Sequence, residues 1–113
     1  MSSKDWFVLR AQQAQAYGRP VDDGFLVRKG STAMRDGSPI VKRDREERDR
    51  LVREGVLVLD GDIELFCFSR DHVFGSSSSA GGTVKDGNCS GPQSWRRNSD
   101  GKTLQQALAG VLS

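Results

Sequence analysis

Two stretches hold the side chains best suited to recognition chemistry: an indole beside two arginines, Trp95-Arg96-Arg97, and the hydroxyl run Ser76-Ser77-Ser78-Ser79. An aromatic ring can stack on a base, guanidinium groups neutralise phosphates, and the free amides at a serine-capped helix start bind phosphate oxygens. Together they predict a surface that binds a polyanion. In that reading Ser76 and Ser78 present hydroxyls and amides to phosphate, Trp95 contacts a base or shapes the pocket, and Arg28, Lys29, Arg96 and Arg97 supply positive charge. Ser31, directly after Gly30, adds an amide and a hydroxyl of the kind that cradle an oxyanion. All of this requires the arginine pair and the serine-lined helix start to share one concave face. Trp95 as a core residue, with both arginines on a solvated edge, fits the same residues equally well.

Catalytic patterns fail one by one. Gly101-Lys102-Thr103 resembles only the end of a phosphate-binding P-loop, because Arg96 stands where that motif needs its first glycine. A turn with Thr103 as a helix cap is the plainer reading. The serine run lacks the glycine-x-serine-x-glycine elbow of a serine nucleophile. His72 is the one histidine, and Cys67 and Cys89 are too few for a zinc motif, so neither metal nor cofactor is expected. Asp71 and His72, adjacent on an extended chain, point to opposite faces. A non-enzymatic protein is expected.

The 113 residues suffice for a single domain, which buries roughly two-thirds of its unfolded surface. With 35% apolar residues and a mean hydropathy of -0.55, the core must be thin. Thirteen glycines favour short strands and tight turns over a helical bundle. The net charge of +2, from 17 basic and 15 acidic groups, creates no global attraction to a polyanion, so any such site is a local patch. No apolar run approaches the ~20 residues of a membrane-spanning helix, and the polar start from Met1 to Asp5 reads as no leader. A cytoplasmic protein with reduced thiols is the expectation.

Several elements must position these residues. Trp6-Phe7-Val8-Leu9 and Phe25-Leu26-Val27 read as strands, Ala11 to Tyr17 as a helical turn or a loop, and Gly18-Arg19-Pro20 and Asp22-Asp23-Gly24 as turns. The chain from Arg28 to Thr32 reads as a strand end, and Arg35 to Pro39 as a loop. From Asp44 to Glu54, acids precede bases by four residues at Asp44/Arg48, Glu46/Arg50 and Asp49/Arg53, pairs worth ~0.2 to 0.5 kcal/mol each in a helix. Asp44 and Glu47 approximate a capping box, Gly55 ends the helix, and Leu51 and Val52 anchor it. Asp60-Gly61-Asp62 between two apolar runs predicts a hairpin over Val56 to Phe68. Ser76 to Val84 predicts a short helix, weakened by Gly81 and Gly82 at about 1 kcal/mol each. Thr103 with Gln106 caps a last helix, with Leu104, Ala107, Leu108, Val111 and Leu112 on one face. The resulting expectation is an α+β fold. It has a small, mostly antiparallel sheet built around the hairpin, the C-terminal helix over it, and two to three short helices in all.

Taken in order, Asp23 to Ala33, Glu54-Gly55-Val56-Leu57, Phe68 to Phe74, the Ser76 to Trp95 tract and Asp100 to Leu104 resemble the uncharacterised domain-of-unknown-function family 4357. That family occurs alone, C-terminal to GIY-YIG-type nucleases, or near restriction and modification genes. The resemblance runs from about Ala14 onward, with residues 1–13 as an N-terminal strand at its edge, and extends to the restriction and adenine-methylase-associated RAMA domain. The family's serine-proline-serine-alanine run corresponds to Ser76 to Ala80, and its asparagine-glycine before tryptophan to Ser90-Gly91 before Trp95. Serine cannot read a base edge bidentately as asparagine does. The resemblance implies a non-enzymatic DNA-binding accessory module that reads modified DNA in a restriction or phage-defence setting, with a nuclease or methylase as partner protein. Ser90 then joins the nucleic-acid-binding residues. A protein-interaction module built on the charges of Asp44 to Glu54 is the alternative.

Overall fold

The computed structural model describes residues 6–35, 45–61 and 64–112. The first half runs β1 (Phe7–Ala11), β2 (Ala14–Val21), β3 (Gly24–Val27), β4 (Thr32–Met34), α1 (Arg45–Arg53) and β5 (Leu57–Leu59). It continues with β6 (Leu65–Phe68), β7 (His72–Phe74), α2 (Ser77–Lys85), α3 (Gly91–Ser94), β8 (Arg96–Arg97) and α4 (Leu104–Leu112). Two sheets result, a five-stranded one in the order β7-β3-β2-β1-β8 and a three-stranded one in the order β4-β6-β5, and every pairing is antiparallel. The fold is α+β, with four helices among the described residues.

The segment Ala11 to Pro20, expected as a helical turn or a loop followed by a turn, is instead the heart of the larger sheet. Its hairpin turns on Gln12-Gln13, with Gln12 in the left-handed region at φ 56. Ala14, Ala16 and Gly18 alternate inward along β2, and a Cβ at Gly18 would lie 2.5 Å from the Phe25 ring of the neighbouring strand. A period of two therefore prevails over the helical propensity of alanine and glutamine.

The predicted hairpin is present, with Leu57 opposite Phe68 and Leu59 opposite Phe66, while Asp62 and Ile63 at its tip lie outside the described residues. It does not join the main sheet. Its third strand is β4, in a stretch expected to be a strand end, and the two hydroxyls at the start of β4 explain the arrangement. Strand β3 stops at Val27, leaving part of the β2 edge unpaired beyond the Arg28 amide that donates to the Tyr17 carbonyl. The Tyr17 amide donates to Ser31 Oγ at 2.9 Å, and the Gln15 amide donates to Thr32 Oγ1 at 2.8 Å. Side-chain oxygens thus complete an edge that backbone leaves open.

Helix α1 forms as expected, but its anchor differs. Leu51 is buried and Val52 is exposed, and the second anchor is Arg48, only 1% exposed. Its guanidinium donates to the carbonyls of Thr83 and Arg35, each at 2.7 Å, and to that of Met34, and its Nε lies 3.5 Å from the fully buried Asp86. The surface pairs that form on α1 are Arg50 with Glu47 and Glu54, rather than Glu46/Arg50 or Asp49/Arg53. Asp44, the proposed cap, lies outside the described residues, as do positions 36–39 of the expected loop.

The sheet is covered by α2, not by the C-terminal helix. Ala80, Gly81, Gly82, Thr83 and Val84 are all buried against it. Gly81 is a packing requirement: a Cβ there would sit 2.3 Å from Cys89 Sγ and 3.2 Å from Leu9 Cδ1. Helix α4 docks beside α3 and β8 through Leu104 and Ala107. Its predicted capping box is present: the Gln106 amide donates to Thr103 Oγ1 and the Thr103 amide to Gln106 Oε1. Leu108 is exposed, and the side chains of Val111 and Leu112 lie outside the described set. Among the described residues no helix is long and apolar enough to cross a membrane.

Candidate nucleic-acid interface

The serine-rich helix start borders a recess of about 490 Å³, lined by Ser76, Ser78, Ser79, Gly87, Asn88, Cys89 and Ser90. Ser76 caps α2, its Oγ accepting from the Ser79 amide at 3.0 Å. Ser78 Oγ accepts from the Gly91 amide at 2.9 Å, tying α2 to α3. Gly91 makes that contact possible, since a Cβ there would lie 2.4 Å from the Ser77 backbone carbon. Ser90 is exposed at the α3 start and makes no side-chain cap bond. Among the described residues no charged side chain lines the recess.

Trp95 is fully buried, its ring 4.7 Å from Phe25, and its indole N–H donates to the Ser77 carbonyl at 3.0 Å. Base stacking by Trp95 is therefore excluded, and its role is to hold the wall of the recess in place. Ser31 is also corrected: fully buried, its hydroxyl lies between the Tyr17 amide and carbonyl, out of reach of any ligand. Lys29 is exposed, with its amide donating to Asp71 Oδ1 at 2.7 Å.

Arg96 and Arg97 do not act as a pair, because consecutive strand residues face opposite ways. Arg97 sits opposite Phe7 and holds Asp100 at 2.8 and 3.1 Å. That hydrogen bond, together with the Lys102 amide, lowers the Asp100 pKa to about 2. Arg96 sits opposite Val8, exposed, with one guanidinium nitrogen donating to the Gly101 carbonyl at 3.0 Å. Helix α2 lies on the Phe7 and Leu9 side of the sheet, as the Gly81 contact with Leu9 requires. The recess and Arg96 thus lie on different sides of it, and the expected shared concave face is not formed.

What the register assembles instead is the other face of the five-stranded sheet. Arg96, Val8, Tyr17 and Arg28, the last just past the end of β3, form one row, Trp6, Arg19, Leu26 and Val73 the next, and Arg10 and Gln15 a third. The Arg19 and Arg28 guanidinium carbons lie 5.2 and 5.1 Å from the Trp6 ring centroid, and Arg28 lies 4.7 Å from that of Tyr17. Gln15 Nε2 donates to the Tyr17 hydroxyl. Val8 is buried beneath this layer of long side chains, while Arg10, Arg19 and Arg96 are exposed. None of the four arginines has a carboxylate partner among the described residues. Asp71, held by the Lys29 amide, marks the acidic limit of the patch beside Arg28.

Arg28 and Arg96 belong to the predicted set, whereas Arg10, Arg19, Trp6 and Tyr17 were missed. Their signal was the alternation Trp6-x-Val8-x-Arg10 and Gln15-x-Tyr17-x-Arg19, whose second half was hidden by reading Ala11 to Tyr17 as a helical turn or a loop and Gly18 to Pro20 as a turn. Among the described residues no group of three or more His, Cys, Asp or Glu side chains could hold a metal. Cys67 and Cys89 are free thiols, and burial pushes the Cys67 pKa up, with the Asp60 charge adding to it.

An antiparallel sheet with a helix on one face and, on the other, a layer of arginines and aromatics that no described element covers defines a small α+β domain with a cationic surface. The chain belongs to the family described as Domain of unknown function (DUF4357), whose model matches residues 7–108. The match takes in β1, ahead of the start near Ala14 suggested by the motifs. No curated protein and no solved structure matches the chain.

Proposed function

We propose that this domain is a non-enzymatic module that binds DNA, in the restriction or defence setting implied by the family resemblance and beside a nuclease or methylase partner. The observation that carries this reading is the outer sheet face, where Arg10, Arg19, Arg28 and Arg96 stand without carboxylate partners among the described residues. Unpaired guanidinium groups on one surface release counterions from a phosphate backbone when they bind it. A net charge of only +2 leaves the rest of the molecule contributing little, so binding by the isolated domain is weak, with Kd on the order of 10 μM, and sensitive to salt. Titration of a fluorescently labelled duplex at low and moderate salt tests this. Saturable binding that weakens with salt supports it, and no binding at about 100 μM protein in low salt ends it.

The second reading is a protein-interaction module. Val52 on α1 and Val58 and Leu59 on the contacting strand β5 are exposed, Leu59 at 65%, beside the charges of α1. Loss of partner capture in Leu59→Lys, with DNA binding absent, would favour it.

A further inference from the structure

Granting DNA binding through the arginine-bearing face, we infer that this face reads the phosphate backbone alone, so that its ligand is duplex DNA taken without regard to base sequence or base modification. Three observations point there. The first is width. Strands β8 to β7 span four inter-strand spacings, roughly 19 Å, whereas the major groove is about 12 Å wide and admits a helix or a two-stranded ribbon. A five-stranded face lies across the groove rim, where phosphates are, and does not enter to meet base edges. Arg96 and Arg28 stand three spacings apart, roughly 14 Å, enough to meet phosphates on both sides of a groove.

The second observation concerns rings. Single-strand binders offer open aromatic platforms on which bases stack. Here Trp6 has two guanidinium groups over it and Tyr17 has one, and all eight aromatic side chains of the chain are at least partly buried. The indole and phenol hold the arginines in place instead of receiving bases. A guanidinium stacked by its face keeps its N–H edge for the forked contact that phosphate accepts.

The third concerns the side-chain amide at the centre of this surface. Gln15 Nε2 donates to the Tyr17 hydroxyl, so that amide is engaged within the face, while Asn98, paired with Trp6, stands at its rim. The neutral recess that could hold a base, lined by Asn88 and the serines, belongs to the helical side of the sheet.

The test compares the intact domain on four labelled probes of equal length: a duplex, the same duplex with methylated adenine, a duplex of shuffled sequence, and a single strand. Affinity is measured across a salt series. Expected are equal affinities for the three duplexes within about twofold, a weaker single strand, and a duplex slope of log K against log salt of roughly −3.6 for four phosphates. Arg10→Ala, which removes no ring contact, and Arg28→Ala each reduce that slope by about 0.9, while Arg97→Ala, on the other face, leaves it unchanged. Circular dichroism of each variant separates lost charge from lost fold. A tenfold preference for the methylated or one particular duplex, or tighter binding of the single strand, overturns the inference and leaves DNA binding standing. Absence of binding to all four probes overturns both.

Discussion

Arg48 and Arg28 carry the same guanidinium group in opposite settings. Beneath α1, Arg48 is taken out of water, satisfied by carbonyls of Thr83, Met34 and Arg35, and set against the buried Asp86. On the outer sheet face, Arg28 is stacked over two rings and retains its charge without a carboxylate partner among the described residues. The buried group is committed to the fold: it ties α1 to the end of α2 and to the strand after which the chain leaves the small sheet. The stacked group is held in position with its valence for an anion still free. Charge type alone therefore says nothing about role; the partner each group has after folding decides it.

This contrast can be broken at three points. The largest effect is expected at the clip, where Arg48→Met removes the buried cation beside Asp86 together with its hydrogen bonds to three carbonyls and costs about 3–5 kcal/mol in urea unfolding. A loss as small as that of an exposed arginine would end the assignment. The double variant with Asp86→Leu should recover part of the loss, because an apolar pair needs no desolvation of charge. An intermediate effect belongs to Trp95→Phe, which removes the indole N–H bond to Ser77 and costs about 1 kcal/mol while leaving affinity for any duplex unchanged. A large fall in affinity with stability intact would return Trp95 to the binding surface. The smallest effect is at the rim. Asp100, with its pKa lowered from 3.8 to about 2, stabilises the fold above its unfolded value, and that contribution fades as pH falls toward 2. Asp100→Asn should leave thermal stability at neutral pH slightly lower and flatten its decline in acid. Because the carboxylate is solvent-exposed, the change is small.

Much of the fold could be read from short windows. The hairpin around Asp60-Gly61, the Ser76 cap and the Thr103/Gln106 box each depend on residues a few positions apart, so their chemistry is complete within the window. Where this failed, the cause lay outside the window. Strand β2 was obscured because the reasons for its small residues lie elsewhere in the chain: the Phe25 ring fills the space at Gly18, and α2 and β4 pack on the strand. Strand β4 is three residues long, too short to show a period, and exists because Ser31 and Thr32 complete the β2 edge. Arg48 read as a surface cation because its partners are 13 to 38 residues away.

The candidate interface was legible to the same degree and for the same reason. Arg28 and Arg96 could be singled out by type, but their company could not. Local chemistry alone determined where α2 and α4 start and that β5 and β6 pair as a hairpin. Which arginines share a surface was decided only when Val8 came to lie between Tyr17 and Arg96, since sheet register sets the face of every side chain and a shift of one residue reverses it.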